Sequence, residues 1–129
     1  MWPRVGGLRS VELGTSGALR AELNALVLAG RKTATAGLLS EYEQEGEELE
    51  HVGEQLAVLD DDRRSIATVE VTAVDVRRFL DVPWEFAAAE GEGDSDLASW
   101  RDGHRRYWAA AGTPVADETT VVCLHFRLA

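Results

Sequence analysis

The 129 residues carry 45% hydrophobic and 28% charged side chains, enough apolar surface for one packed domain and too little chain for two. That balance excludes a disordered or low-complexity chain, and apolar runs such as Ala25 to Ala29 and Val121 to Leu124 fall far short of the ~20 residues that cross a bilayer. A formal net charge of -10 argues at first against a polyanionic partner.

In chain order, Leu8 to Leu13 reads as a short strand, and Gly14-Thr15-Ser16-Gly17 as the turn behind it. A helix follows, with Ser16 as its N-cap, Leu19, Leu23, Leu26 and Val27 on one face, and Gly30 past its last turn. Arg31 and Lys32 come just beyond that end. Thr33 to Tyr42 fits either a strand or a short helix, and Glu43 to Gly53 reads as a charged loop. Gln55 to Asp60 and Ser65 to Val76 form a hairpin around Asp60-Asp61-Asp62, with Val69, Val71 and Ala73 alternating against Glu70 and Thr72. Glu85 to Ala89 is a short apolar helix, and the loop Glu90-Gly91-Glu92-Gly93-Asp94 leads to a longer one capped by Asp94 or Ser95 and ended by Gly112. Its Leu97, Trp100, His104, Tyr107, Trp108 and Ala111 share a face. Thr119 to Leu128 closes the chain as a strand. Strands at both ends with helices between them predict a single α+β domain over residues 1–129, a small mixed barrel or sheet.

Charge and cysteine distribution refine this. Ten of the 23 acids stand between Glu41 and Asp62 with no Lys or Arg among them; the rest of the chain holds 13 acids and 13 bases. The run reads first as a solubilising face, and a locally basic cleft elsewhere stays open. Lys32 is the only lysine beside twelve arginines. The single Cys123 leaves no disulfide partner and no multi-cysteine metal site, which together with the lack of a basic-then-apolar leader predicts a reducing cytoplasm.

Three groups of residues could carry chemistry. Gly30-Arg31-Lys32-Thr33-Ala34-Thr35 places a cation beside two hydroxyls; it lacks the glycines of a P-loop, so it reads either as an anion-binding or hydroxyl-activating lysine or as an exposed lysine after a capped helix. Glu90, Glu92 and Asp94, spaced by glycines, offer a general acid or base, or else acids favoured near a helix N-terminus. Metal binding ranks below both, because no His stands at ligand spacing, and no cofactor is called for. Trp100, His104, Tyr107 and Trp108 could stack a base beside Arg101 and Arg105, or could simply pack the core. Cys123 with His125 is a weaker nucleophile pair.

Taken as a set, the Gly30 to Thr35 segment, Gly46-Glu47, Val52-Gly53-Glu54, Phe86-Ala87, Glu90 to Asp94, Leu97, Trp100-Arg101, His104, Val121-Val122-Cys123 and Phe126 resemble the ASCH domain family over nearly the whole chain, in its bacterial single-domain branch. The resemblance implies a PUA-like β-barrel with flanking helices, and a cleft for RNA or a modified, cytidine-type nucleoside. Some members of the broader family resemble amidohydrolases that deacetylate 4-acetylcytidine; others are ribonucleases or RNA binders. Carried over by motif, Lys32, Thr35 and Glu92 become the catalytic residues, with Glu90 the fallback for Glu92. Arg31, Thr33, Glu90, Trp100, Arg101 and His104 become substrate or RNA contacts. The chain departs from the branch pattern at Leu124, where a glutamate usually follows the cysteine, and at Asp96, where serine is common.

Overall fold

The computed structural model describes residues 1–129. Strands β1 (Arg4–Val5), β2 (Leu8–Val11), β3 (Ala34–Leu38), β4 (Gln55–Leu59), β5 (Ser65–Arg78) and β6 (Thr120–Leu128) form one mixed sheet in the order β1-β2-β4-β5-β6-β3. Only β2 and β4 run parallel. Helices α1 (Ala18–Leu28), α2 (Leu39–Glu45), α3 (Trp84–Ala89) and α4 (Leu97–Ala110) connect them, with a 3-10 turn at Phe79–Asp81.

The expected barrel is corrected to an open sheet. At one edge β1 is two residues long, and at the other β3 pairs with β6 alone, so no ladder joins the two edges. Ahead of β1, Trp2 packs edge-on against Tyr42 of α2, with ring centroids 4.8 Å apart. The sheet still curls. Bulges between Val58 and Leu59 of the β4 pairing and between Val71 and Ala73 of the β5 pairing add a residue to β5, which bends and twists a strand locally.

Alternation along β6 divides the interior in two. Val122, Leu124 and Phe126 join Leu23 and Val27 of α1 and Leu56, Val58, Val69 and Val71 of the hairpin in one cluster. Val121 and Cys123 point the other way, into a cluster with Phe79, Phe86, Trp100 and Trp108. The α4 face read from helical spacing is only partly core: Trp100 is fully buried and stacks on Phe79 at 5.6 Å, whereas His104 and Tyr107 are half-buried and Ala111 is exposed.

Local chemistry moves several boundaries. The Thr33 to Tyr42 segment contains both alternatives, β3 followed directly by α2, because the Glu41 carboxylate accepts the Leu38 amide at 3.0 Å and starts the helix. Gly17, not Ser16, occupies the cap position of α1, with its amide held by Asp61 at 2.8 Å. Asp96 caps α4 by accepting the Ser99 amide at 2.8 Å, so the cap falls one or two residues beyond Asp94 and Ser95. The acidic run is less solvated than its composition suggests. Glu47 takes both guanidinium nitrogens of Arg4 at 2.8 and 2.9 Å, Glu54 pairs with Arg9 at 3.0 Å, and Asp61 pairs with Arg20 at 2.9 Å. No helix is long and apolar enough to cross a membrane.

Candidate active site

The site is built where the turn after α1 meets the loop after α3. Gly30, at φ +74°, reverses the chain, and the amides of Arg31 and Lys32 both donate to the Leu26 carbonyl, at 3.0 and 3.1 Å. The next amide, Thr33, donates to the Ala89 carbonyl at 2.8 Å, and the Thr33 hydroxyl donates to the same oxygen at 3.3 Å. This lays Glu90-Gly91-Glu92 directly on Arg31-Lys32. The contact demands glycine at 91, since φ is +66° and a Cβ there would lie 2.2 Å from the Arg31 carbonyl oxygen.

With the backbones so close, the side chains converge. Lys32 is 2% exposed, which overturns its reading as an exposed lysine after a helix. Its Nζ lies 3.1 Å from Glu90 Oε2 and 2.6 Å from Glu92 Oε2. The other oxygen of Glu90 accepts Trp100 Nε1 at 3.1 Å and faces His104 Nε2 at 3.3 Å. His104 Nδ1 is 2.9 Å from the Trp100 carbonyl, an acceptor only, so that nitrogen carries a proton. The imidazole stacks on Trp100 with centroids 4.1 Å apart.

Burial opposes every charge here, and the partners decide the outcome. It works against the Glu90 carboxylate, but the Lys32 ammonium and the hydrogen bonds from His104 and Glu92 outweigh it and hold Glu90 well below the usual carboxylate range. At Glu92 burial prevails. Together with the hydrogen bond and the negative charge of Glu90 it pushes this carboxyl up, against the pull of Lys32. Burial also disfavours the His104 imidazolium, yet Glu90 and the Trp100 carbonyl raise it above its ordinary value of 6.5. One carboxylate is thus a fixed anion, and its neighbour, whose side chain is 24% exposed, is poised to exchange a proton.

These groups open onto a cleft of about 850 Å³ between the two edges of the sheet, a size suited to a small molecule. Lys32, Thr35, Glu90, Glu92 and His104 all line it. Thr35 stands in β3 directly across from Leu124 of β6, so the first departure from the branch pattern places an apolar side chain beside Thr35. The other departure, Asp96, serves as the cap of α4. Arg31, Thr33, Trp100 and Arg101 do not line the cleft. Arg31 is exposed, Thr33 is bound to Ala89, Trp100 lies beneath Glu90, and Arg101 donates to the Leu80 carbonyl at 3.0 Å. Neither do Cys123 and His125: Cys123 is buried, with its thiol pushed up to about 12 by burial, and His125 meets Phe86 edge-on.

The lining holds seven acidic side chains against Lys32 and Arg63. No three His, Cys, Asp or Glu side chains are grouped to hold a metal ion, and the Lys32 ammonium takes the position a cation would occupy between Glu90 and Glu92. Polar residues that sequence reasoning did not assign to a site also line the cleft, Tyr42 and Glu50 among them. Tyr107, read from helical spacing as part of the same stripe as His104, lines the cleft beside it. Tyr42 and Glu50 carry no such signal, because tertiary structure alone brings them there.

A mixed sheet flanked by four helices, with a cleft at its open edge and a lysine–glutamate cluster in it, defines a PUA-like α+β domain. The chain belongs to the ASCH domain family, whose model matches residues 9–129. It is similar to a protein from Enterococcus faecalis of known structure, at 29% identity and a TM-score of 0.81, covering 93% of this chain and 75% of that one. It is equally similar to an ASCH domain from Lactobacillus crispatus, at 29% identity and a TM-score of 0.78, covering 92% and 77%. An ASCH protein from Zymomonas mobilis shares the fold at 10% identity, with a TM-score of 0.56 and 92% and 65% covered. No curated protein matches the sequence.

Proposed function

We propose that this ASCH domain binds a modified, cytidine-type nucleoside and hydrolyses an acyl amide on its base. The observation that carries the reading is the 2.6 Å contact between Lys32 Nζ and Glu92 in a cleft that Thr35 also lines. The Thr35 hydroxyl attacks the acyl carbonyl carbon and its proton passes to Glu92, the one carboxyl of the cluster whose proton affinity is raised. Negative charge develops on the carbonyl oxygen. Lys32 uses two of its three N–H donors on Glu90 and Glu92, and the third is free to stabilise that oxyanion. As the C–N bond breaks, Glu92 returns the proton to the leaving amine and cytidine departs. A water deprotonated by Glu92 then cleaves the Thr35 ester, releasing the carboxylic acid and restoring the enzyme. Glu90, pinned by Trp100 and His104, keeps Lys32 in place throughout.

The charge of the lining favours a free nucleoside over an RNA strand. Seven acids against Lys32 and Arg63 would repel a phosphate backbone, while Arg31, Arg101 and Arg105 stand outside the cleft. The test is incubation of the purified protein with N4-acetylcytidine beside an RNA oligomer containing the same modified base. Release of cytidine from the nucleoside with little dependence on salt supports the reading. Salt-sensitive binding or cleavage of the oligomer, without nucleoside turnover, replaces it with an RNA-directed function.

A further inference from the structure

Glu50 is buried at 7% exposure on the wall of the same cleft. Burying a carboxylate is costly without partners, and its surroundings supply few. Tyr42 donates its hydroxyl to Glu50 Oε1 at 2.7 Å. Arg9, the nearest guanidinium, is committed elsewhere: it pairs with Glu54 at 3.0 Å and donates to the Glu48 carbonyl. No other side chain donates to Glu50, and Oε2 is not among the side-chain atoms sealed from solvent without a partner. Oε2 is thus an acceptor that no side chain of the protein occupies, on a residue of the cleft wall. Burial, set against the hydrogen bonds from Tyr42 and from its own backbone amide and against the charge of Arg9, raises this carboxyl above its ordinary 4.5. The same burial, with Glu50 beside it, raises Tyr42 and keeps the phenol a donor to the carboxylate.

A buried carboxylate held by one phenol and its own backbone amide, with acceptor sites left over, suits a ligand that brings paired hydroxyl donors. It does not suit a phosphate, which would set anion against anion. Neither residue belongs to the Lys32 cluster: Glu50 follows α2, and Tyr42 packs between Trp2 and Glu50. We propose that Glu50, oriented by Tyr42, forms a sugar subsite that accepts hydrogen bonds from the ribose hydroxyls of the nucleoside, while Lys32 and Glu92 act on the acylated base. The proposal rests on the nucleoside reading and adds a specificity-determining residue to it. It makes the protein selective for ribonucleosides over deoxyribonucleosides and free bases.

The experiment measures binding of cytidine, 2′-deoxycytidine and cytosine by calorimetry, and turnover of their N4-acetyl derivatives, for the parent, Glu50→Gln and Tyr42→Phe proteins. The parent should bind cytidine roughly 10- to 100-fold more tightly than 2′-deoxycytidine, the range expected for hydrogen bonds to a charged acceptor. Glu50→Gln should reduce that preference to a few-fold while leaving the weak affinity for cytosine unchanged. Tyr42→Phe, which keeps the carboxylate and removes only its orienting hydroxyl, should fall between the two and serves as the test should Glu50→Gln fail to fold. Equal loss for all three ligands would overturn the subsite as merely structural, as would a ribose preference that survives both substitutions. Absence of nucleoside binding by the parent would overturn it too. Selective cytidine binding without turnover of any acetylated compound would leave the sugar subsite standing and defeat the hydrolase reading alone.

Discussion

A buried ammonium group is tolerated only where anions meet it, and Lys32 has two within 3.1 Å. Removing it strands them. Lys32→Ala should destabilise the protein by about 3 kcal/mol, the usual result of breaking a buried pair from one side, as read from the urea unfolding midpoint. Glu92→Gln is the gentler change: the amide keeps an acceptor for Lys32 and a donor for Glu90, as the protonated acid does. Because the folded state raises the Glu92 value, its contribution to stability is complete below 4.5 and is lost as pH rises through the raised value. The depressed Glu90 behaves oppositely, stabilising above 4.5 and failing only as the pH drops through its lowered value. The parent should therefore lose stability as the pH rises from 4.5 through about 7, and Glu92→Gln should lose less, keeping only the part due to groups such as His104 that are common to both. Under the proposed hydrolysis, activity of the parent should rise with pH along a limb whose midpoint lies above 4.5, since Glu92 would take the Thr35 proton only when ionised. Tyr107 lines the cleft, and Tyr107→Phe should lower kcat/KM about tenfold with the unfolding midpoint unchanged.

At the level of elements, the two motif segments are held together by backbone, and Gly91 is where they touch. Gly91→Ala sets a Cβ against the Arg31 carbonyl at 2.2 Å, so the loop must lift and carry Glu90 and Glu92 away from Lys32. Gly93 also has a positive φ, +91°, but open space around its Cβ position. Gly93→Ala should cost about 1 kcal/mol and retain activity, whereas Gly91→Ala should cost more and abolish it, as measured by unfolding and turnover on the same preparations. This contact explains the limits of sequence reading. Helical spacing located α4, alternation located the β4–β5 hairpin and β6, and the family motifs named Lys32 and Glu92. Nothing in spacing shows that residues some sixty positions apart share an ion pair, because tertiary folding makes that contact. For the same reason Trp100 and Arg101 read as ligand contacts from their motif, although one is core and the other is tied to Leu80. The Thr33 to Tyr42 ambiguity had a local cause: strand and helix abut at Leu38 with no turn residue between them.

Across the whole molecule, the acidic run has two effects. It clasps the N-terminal segment, and with the acids of the motif loop it gives the cleft its charge. The Arg4 hydrogen bonds, aided by the Trp2 amide and opposed by burial, push Glu47 down to about 2. A depressed carboxylate gives its contribution above 4.5 and loses it as pH falls through the folded value, so the segment bearing Trp2 should stay docked until the pH approaches about 2. In Arg4→Ala it should release nearer 4.5, visible in the fluorescence of Trp2 against a Trp2→Phe control. That clasp was not legible in composition, which shows the excess of acids and not which arginines meet them.

The most direct test of the account is the rate of cytidine release from N4-acetylcytidine by the parent, Lys32→Ala, Glu92→Gln and Arg31→Ala proteins at equal folded concentration. Turnover by the parent and by Arg31→Ala, with at least a hundredfold loss in Lys32→Ala and Glu92→Gln, is the result the site geometry predicts. An inactive parent, or activity that survives loss of Lys32 and Glu92, would contradict it.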